Sequence, residues 1–174
     1  MKVVIRRSVF ETNSSSCHSI SLGKGNIKPN VLIPDDEGNI IVETDEFGWE
    51  YDTFTEAYIK LSYLATYIYN RKYLDITPEI VEKYYDSDLN ILDIKAFDDE
   101  TTEKYLNMLC DVIREVTGGK LIIKSNTTDI TNFCAFGYID HQSMPVAAEI
   151  FENNKIKEFI FNPKSILTTD NDNH

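Results

Sequence analysis

Thr53-Phe-Thr-Glu-Ala-Tyr-Ile-Lys-Leu-Ser-Tyr-Leu-Ala-Thr-Tyr-Ile68 decides how the middle of this 174-residue chain is read. Thr53 and Glu56 have the spacing of a capping box, in which a hydroxyl and a carboxylate satisfy the first unpaired amides of a helix. Beyond them Phe54, Tyr58, Leu61, Leu64, Ala65 and Ile68 recur at helical spacing. Two more helices are expected downstream. Thr77-Pro78 is a cap followed by a proline whose missing N–H costs nothing there. Asp99 caps the other, in which Tyr105, Met108, Leu109, Val112 and Val116 make one stripe and Gly118-Gly119 supplies the stop. The helical middle, 52–118, carries much of the acidity.

Outward from that middle the pattern changes to short β-branched runs. Lys2 to Arg7 and Ser19 to Leu22 read as strands on the N-terminal side. Val31 to Ile33 and Ile40 to Glu43 resemble a hairpin, because Pro34-Asp-Asp-Glu-Gly38 is rich in turn formers. On the C-terminal side Leu121 to Ile123, Phe133 to Ile139 and Ser165 to Thr169 read as strands. Ser143 is placed to cap a helix through Ala147 and Ile150, and Lys155 to Phe161 is ambiguous. Strands at both ends with helices between them predict an α+β fold: one domain over 1–174, with a mixed or antiparallel sheet of N- and C-terminal strands packed by about three central helices.

Composition narrows the class. With 42% hydrophobic and 11% aromatic residues the chain has enough apolar area for a core without staples. Cys17, Cys110 and Cys134 are odd in number and form no CxxC pair, which fits a reducing compartment and a cytoplasmic protein. No apolar run reaches the length of a bilayer span, so no membrane partner is expected. The net charge of −12 is uneven: residues 35–103 hold nineteen acids against five Lys/Arg, whereas 1–34 hold one against five. That belt disfavours direct nucleic-acid binding, since phosphate would be repelled.

The three histidines each follow a predicted strand and stand among polar residues. Asn13, Ser14, Ser15 and Ser16 precede His18, and a run of hydroxyls and turn amides with Arg6 or Arg7 beside it suits a phosphate. The bland alternative is a serine-rich turn satisfying its own backbone. His141 follows Asp140 at the end of an apolar strand. Neighbouring strand residues diverge, so one of the two enters a shared pocket, and the expectation here is His141. The polar tail Asp170-Asn-Asp-Asn-His174 offers Asp170 on the side of Asp172 and His174, although such a tail is also typical of a frayed end. His18, His141 and Asp170 together would suit acid-base chemistry or a divalent metal. No HExxH, CxxC or calcium loop is present.

Arg6 and Arg7 with Val9-Phe-Glu-Thr-Asn-Ser-Ser-Ser-Cys-His-Ser19 resemble the opening of a group of uncharacterised bacteriophage and prophage proteins of low-GC Gram-positive bacteria. Gly137-Tyr-Ile-Asp-His-Gln-Ser143 and Phe161-Asn-Pro-Lys-Ser165 through Asn173 are similar to their C-terminal parts. The resemblance implies a phage-encoded accessory protein working in host cytoplasm and transfers no activity. Two functions are then expected. The first is a pocket protein or hydrolase-like enzyme acting on a phosphate-bearing small molecule or nucleotide, with His18, His141 and Asp170 catalytic and Arg6, Asn13, Ser14, Ser15 and Ser16 holding the anion. The second is an acidic inhibitor of a host protein, an anti-defence factor that imitates nucleic acid with its belt.

Overall fold

The computed structural model describes residues 3–5, 18–23, 31–48, 50–73, 100–125, 137–140 and 143–170. Its strands are β1 (Val3–Ile5), β2 (Ser19–Leu22), β3 (Asn39–Glu43), β4 (Glu46–Phe47), β5 (Asp52–Phe54), β6 (Lys120–Lys124), β7 (Tyr138–Ile139) and β8 (Ile166–Thr169). The helices are α1 (Ala57–Tyr73), α2 (Glu100–Thr117), α3 (Met144–Glu152) and α4 (Ile156–Phe161). The expected α+β architecture is present, with N- and C-terminal strands in one antiparallel sheet of order β1-β2-β8-β5. Two parallel pairs, β3–β6 and β4–β7, stand apart from it. Parallel neighbours need a long crossover. Here α1 and α2 lie between the paired segments in sequence.

Helix α1 is the hub, touching α2, α3, α4, β3 and β7. Residues 60–68 are buried without a break, so the helix is enclosed on every side rather than amphipathic. Leu61, Leu64 and Ile68 each contribute roughly 1.5–3 kcal/mol by leaving water. Enclosure also requires its polar residues to find partners. Ser62, Thr66 and Asn70, spaced four apart and so stacked on one face, meet successive backbone groups of the crossing strands. Ser62 Oγ donates to the Glu43 carbonyl at 2.6 Å, and Thr66 Oγ1 accepts from Asp45 N–H at 3.0 Å. Asn70 donates to the Gly137 carbonyl at 2.9 Å and accepts from Ile139 N–H at 2.8 Å.

Three local expectations are corrected. The capping box does not form: Thr53 is paired with Thr168 in the sheet, and α1 starts at Ala57 with the Glu56 carbonyl accepting from Lys60 N–H. Sheet pairing outweighs a cap worth about 1 kcal/mol. The hairpin stops at its turn. Asp35 Oδ1 gathers the amides of Glu37 and Asn39, Gly38 takes a positive φ, and Asp35 N–H bonds the Asn39 carbonyl. Residues 31–33 then diverge, leaving Val31 65% and Ile33 81% exposed, while β3 pairs with β6 and buries Ile40 and Val42. At its far end Tyr58 Oη and Ser62 Oγ occupy the Glu43 amide and carbonyl, which blunts the edge. Ser143 stands before α3 but makes no side-chain cap. Its hydroxyl is engaged elsewhere.

Elsewhere the periodicity is followed. Tyr105 and Leu109 of α2 are buried, joined by Ile113, and Gly118 at φ +73° ends the helix. The ambiguous stretch before Asn162 is the short helix α4. The expected helix after Thr77, the cap Asp99 and the strand part 133–136 lie outside the described residues. Among the described residues no helix is long and apolar enough to cross a membrane.

Candidate binding face and buried histidine

β2 and β8 run antiparallel with Ser19 opposite Thr168, so His18 and Thr169 are the next residues out at one end of this ladder. His18 is 1% exposed. Its Nε2 lies 3.4 Å from the Gly48 carbonyl and its Nδ1 3.2 Å from Tyr63 Oη. A carbonyl only accepts, so Nε2 carries the proton and Nδ1 accepts from the phenol. Burial holds the His18 pKa below its ordinary 6.5, against the raising effects of the Gly48 bond and the Asp140 charge. Burial also pushes the Tyr63 phenol up, so it stays a donor. The ring is neutral at pH 7 and both nitrogens are engaged. Neither offers a free lone pair to a metal or a substrate proton.

The two halves of the chain meet at this residue. His18 N–H donates to Ser143 Oγ at 3.2 Å, and Ser143 N–H bonds the Asp140 carbonyl at 2.8 Å. Asp140 is buried, with the Tyr138 hydroxyl 3.4 Å from its Oδ1. Of the pair at the end of β7, Asp140 therefore belongs to the His18 surroundings, while His141 lies outside the described residues, as do Arg6, Asn13, Ser14, Ser15, Ser16 and His174. Asp170 directly follows β8 at the same end of the sheet, half-buried. Among the described residues no group of three or more His, Cys, Asp or Glu is arranged to hold a metal.

Gly48 and Thr169 also line an open concavity of about 440 Å3. Phe47, Phe54 and Ile59 give it apolar walls, and Asp45, Glu46, Glu50 and Asp52 line it with carboxylates. Thr169 Oγ1 donates to the Glu50 carbonyl at 2.8 Å, fastening the rim. The charge extends past the concavity. Asp35, Asp36, Glu37, Glu43, Asp45, Glu46, Glu50, Asp52 and Glu56 are all exposed, and 31–59 contains no Lys or Arg. The ion pairs among the described residues are Arg114–Asp111, Lys155–Glu158 and Lys157–Glu115, none on this stretch. The large apolar side chains left exposed among the described residues, Val31, Ile33, Ile41, Tyr51 and Tyr58, fall on the same stretch.

The acidic belt expected over 35–103 thus has a sharper part. What sequence reasoning passed over is Gly48, Glu50, Tyr51 and Thr169, and the available signal was a run of carboxylates uninterrupted by any cation from Asp35 to Glu56. Thr169 gave no signal, because its partner is a backbone carbonyl 119 residues away. Comparison with protein-family models, curated proteins and solved structures gives no match.

Proposed function

We propose that the protein acts by binding: the acidic, aromatic-bearing face formed by residues 31–58 docks a basic segment of a partner protein. The observation that carries this reading is the coincidence of two exposures on one stretch. Its carboxylates all face solvent without a cation in the stretch, and the large apolar side chains exposed among the described residues are there too. Isolated exposed hydrophobics are ordinary, but a tyrosine such as Tyr51, 70% exposed between Glu50 and Asp52, is the kind of side chain interfaces bury. The surrounding negative potential steers a basic partner and rejects an acidic one. A phage origin, as the resemblance of the opening implies, would make the partner a host protein whose basic surface otherwise meets nucleic acid.

A labelled nona-arginine peptide tests this. Binding at 50 mM salt that weakens steeply at 300 mM, and that falls in Glu50→Gln/Asp52→Asn, is expected. No binding at low salt, or binding indifferent to these substitutions, defeats the reading. A second reading, a pocket for a phosphate-bearing small molecule, is favoured by one observation: His18, Ser143 and the end of β8 before Asp170 gather at one end of the sheet. A nucleotide that raises the melting temperature of the wild type and not of His18→Gln would support it over docking.

A further inference from the structure

β5 is the last strand of the β1-β2-β8-β5 sheet, so one of its edges has no strand beside it among the described residues. Which backbone groups line that edge follows from three bonds. Thr169 Oγ1 donates to the Glu50 carbonyl, which turns that carbonyl toward β8. Thr53 N–H is taken at 2.7 Å by Asp52 Oδ1 and Thr55 N–H at 3.0 Å by Glu56 Oε2, so neither amide serves the ladder. Antiparallel pairing alternates, and it therefore gives Asp52 and Phe54 to β8 and turns the backbone of Tyr51 and Thr53 outward. The Tyr51 and Thr53 carbonyls have no partner among the described residues, and both residues are exposed. The ends of β3 show the opposite case. Asn39 has its amide and carbonyl taken by Asp35, and Glu43 has its own taken by Tyr58 and Ser62.

We infer that the partner's basic segment docks in extended form, as a strand added to the four-stranded sheet along the β5 edge. The inference rests on the docking reading and supplies its geometry. Asp52 and Phe54 line the acidic concavity, with the Phe47 ring edge-on to Phe54 at 6.1 Å. The concavity thus lies on the face of the sheet to which every second side chain of β5 belongs. A strand laid on this edge puts its alternate side chains over that concavity, where Asp45, Glu46 and Asp52 meet cations and Phe47, Phe54 and Ile59 meet their methylene stems. Its amides donate to the Tyr51 and Thr53 carbonyls, the mode by which extended peptides join sheet edges. Charge also controls entry. The Asp52 carboxylate covers the Thr53 amide that an added strand must reach, so the segment has to draw it away, which Lys or Arg does and a neutral strand does not. A second copy of this chain is a poor occupant, because pairing two β5 edges would set Glu50, Asp52 and Glu56 against their own kind.

A labelled, capped heptapeptide alternating Arg and Val tests the mode beside nona-arginine, by fluorescence anisotropy with the full chain. Methyl groups are placed on the backbone nitrogens of the arginines in one version and of the valines in another. Successive amides of a strand point to opposite sides, so only one set faces β5. One methylated peptide is expected to bind roughly tenfold more weakly than the parent, and the other within about twofold of it. A Thr-Val heptapeptide of the same pattern is expected not to bind. Thr53→Pro, which removes an amide that β8 does not use, is expected to weaken Arg-Val binding by a similar factor while the melting temperature moves by only a few degrees. Equal effects of the two methylated sets overturn strand addition and leave the docking reading standing, as does binding of nona-arginine without binding of the Arg-Val peptide. Binding of the Thr-Val peptide as tight as that of Arg-Val overturns the control of entry by charge. Failure of every cationic peptide to bind overturns both readings. If Thr53→Pro does not fold, the methylated pair decides on the wild type.

Discussion

The two ends of the β2–β8 ladder use the same device and reach opposite results. At the Gly23 end, Gly23 N–H donates to Ser165 Oγ at 3.2 Å and Asn162 Nδ2 to the Gly23 carbonyl at 2.6 Å. Ser165 Oγ goes on to the Glu158 carbonyl, and the buried Lys60 ammonium donates to the carbonyls of Asn162 and Ser165. Each of these groups has a partner. At the His18 end side chains also bond distant backbone, through His18, Ser143 and Thr169, but the chain opens onto a concavity lined with carboxylates. A strand end is therefore not a site by position. The two ends differ in whether charge is left facing solvent. Phe161-Asn-Pro-Lys-Ser165, one of the segments of the phage-protein resemblance, belongs to the closed end, and its Asn162 and Ser165 side chains serve the fold.

The contrast is broken most severely at its two glycines. An added Cβ at Gly23 would stand 2.2 Å from Lys164 Cβ and under 3 Å from Lys164 backbone, so Gly23→Ala should cost about 3 kcal/mol in urea denaturation. Gly48→Ala, with nothing within 4 Å, should change stability by less than about 0.5 kcal/mol. Equal losses at the two positions would remove the distinction between a closed and an open end.

Next in size is Lys60. Lys60→Met strips one buried and one half-buried carbonyl of their donor and should cost about 1–3 kcal/mol. Burial lowers the Lys60 pKa from 10.5 to about 8, so between those values the unfolded chain binds the extra proton and stability rises with pH. Above about pH 10 the phenols of Tyr63 and Tyr67, raised by burial, reverse the slope, since the folded state then keeps protons that the unfolded chain releases. Stability measured from pH 7 to 11 should climb from pH 8 and turn over near 10, and the Met variant should lack the climb.

His18 sharpens the comparison from the other end. Its folded pKa lies below 6.5, so the unfolded state takes up the proton first and stability falls as pH drops below 6.5. His18→Gln should flatten this limb of the curve while leaving the alkaline limb intact. The smallest effect is expected at the rim. Glu50→Gln/Asp52→Asn should leave the melting temperature within a degree or two, because both side chains are exposed, neither joins an ion pair among the described residues, and asparagine keeps the oxygen that accepts from Thr53 N–H. Its consequence should appear in binding alone.

Much of this was legible in one dimension. Residues 19–22 alternate and form β2, Leu121 to Ile123 lies within β6, and the stripe of Tyr105 and Leu109 lies buried as the 3.6-residue period requires. Segments around His18 and after Ile139 stood out one by one through their hydroxyls and carboxylates; the bond from His18 N–H to Ser143 that joins them was not legible. Illegible was everything in which a local preference met a distant competitor. Thr53 has the spacing of a cap and became a strand residue because Thr168 was available to pair. Ser143 has the position of a cap and turned its hydroxyl to His18.

Periodicity and composition by themselves therefore determined the long helices, several of the strands, the α+β class and the acidity of the stretch from Asp35 to Glu56, because hydrophobic period and charge are properties of neighbouring residues. Tertiary structure alone decided that β3 would lie beside β6 instead of the segment before its turn, that α1 would be enclosed on all sides, and that His18 would spend both ring nitrogens on Tyr63 and Gly48. Each of those outcomes depends on which backbone groups, tens of residues away in sequence, come within hydrogen-bond reach once the core has closed. No local pattern encodes that.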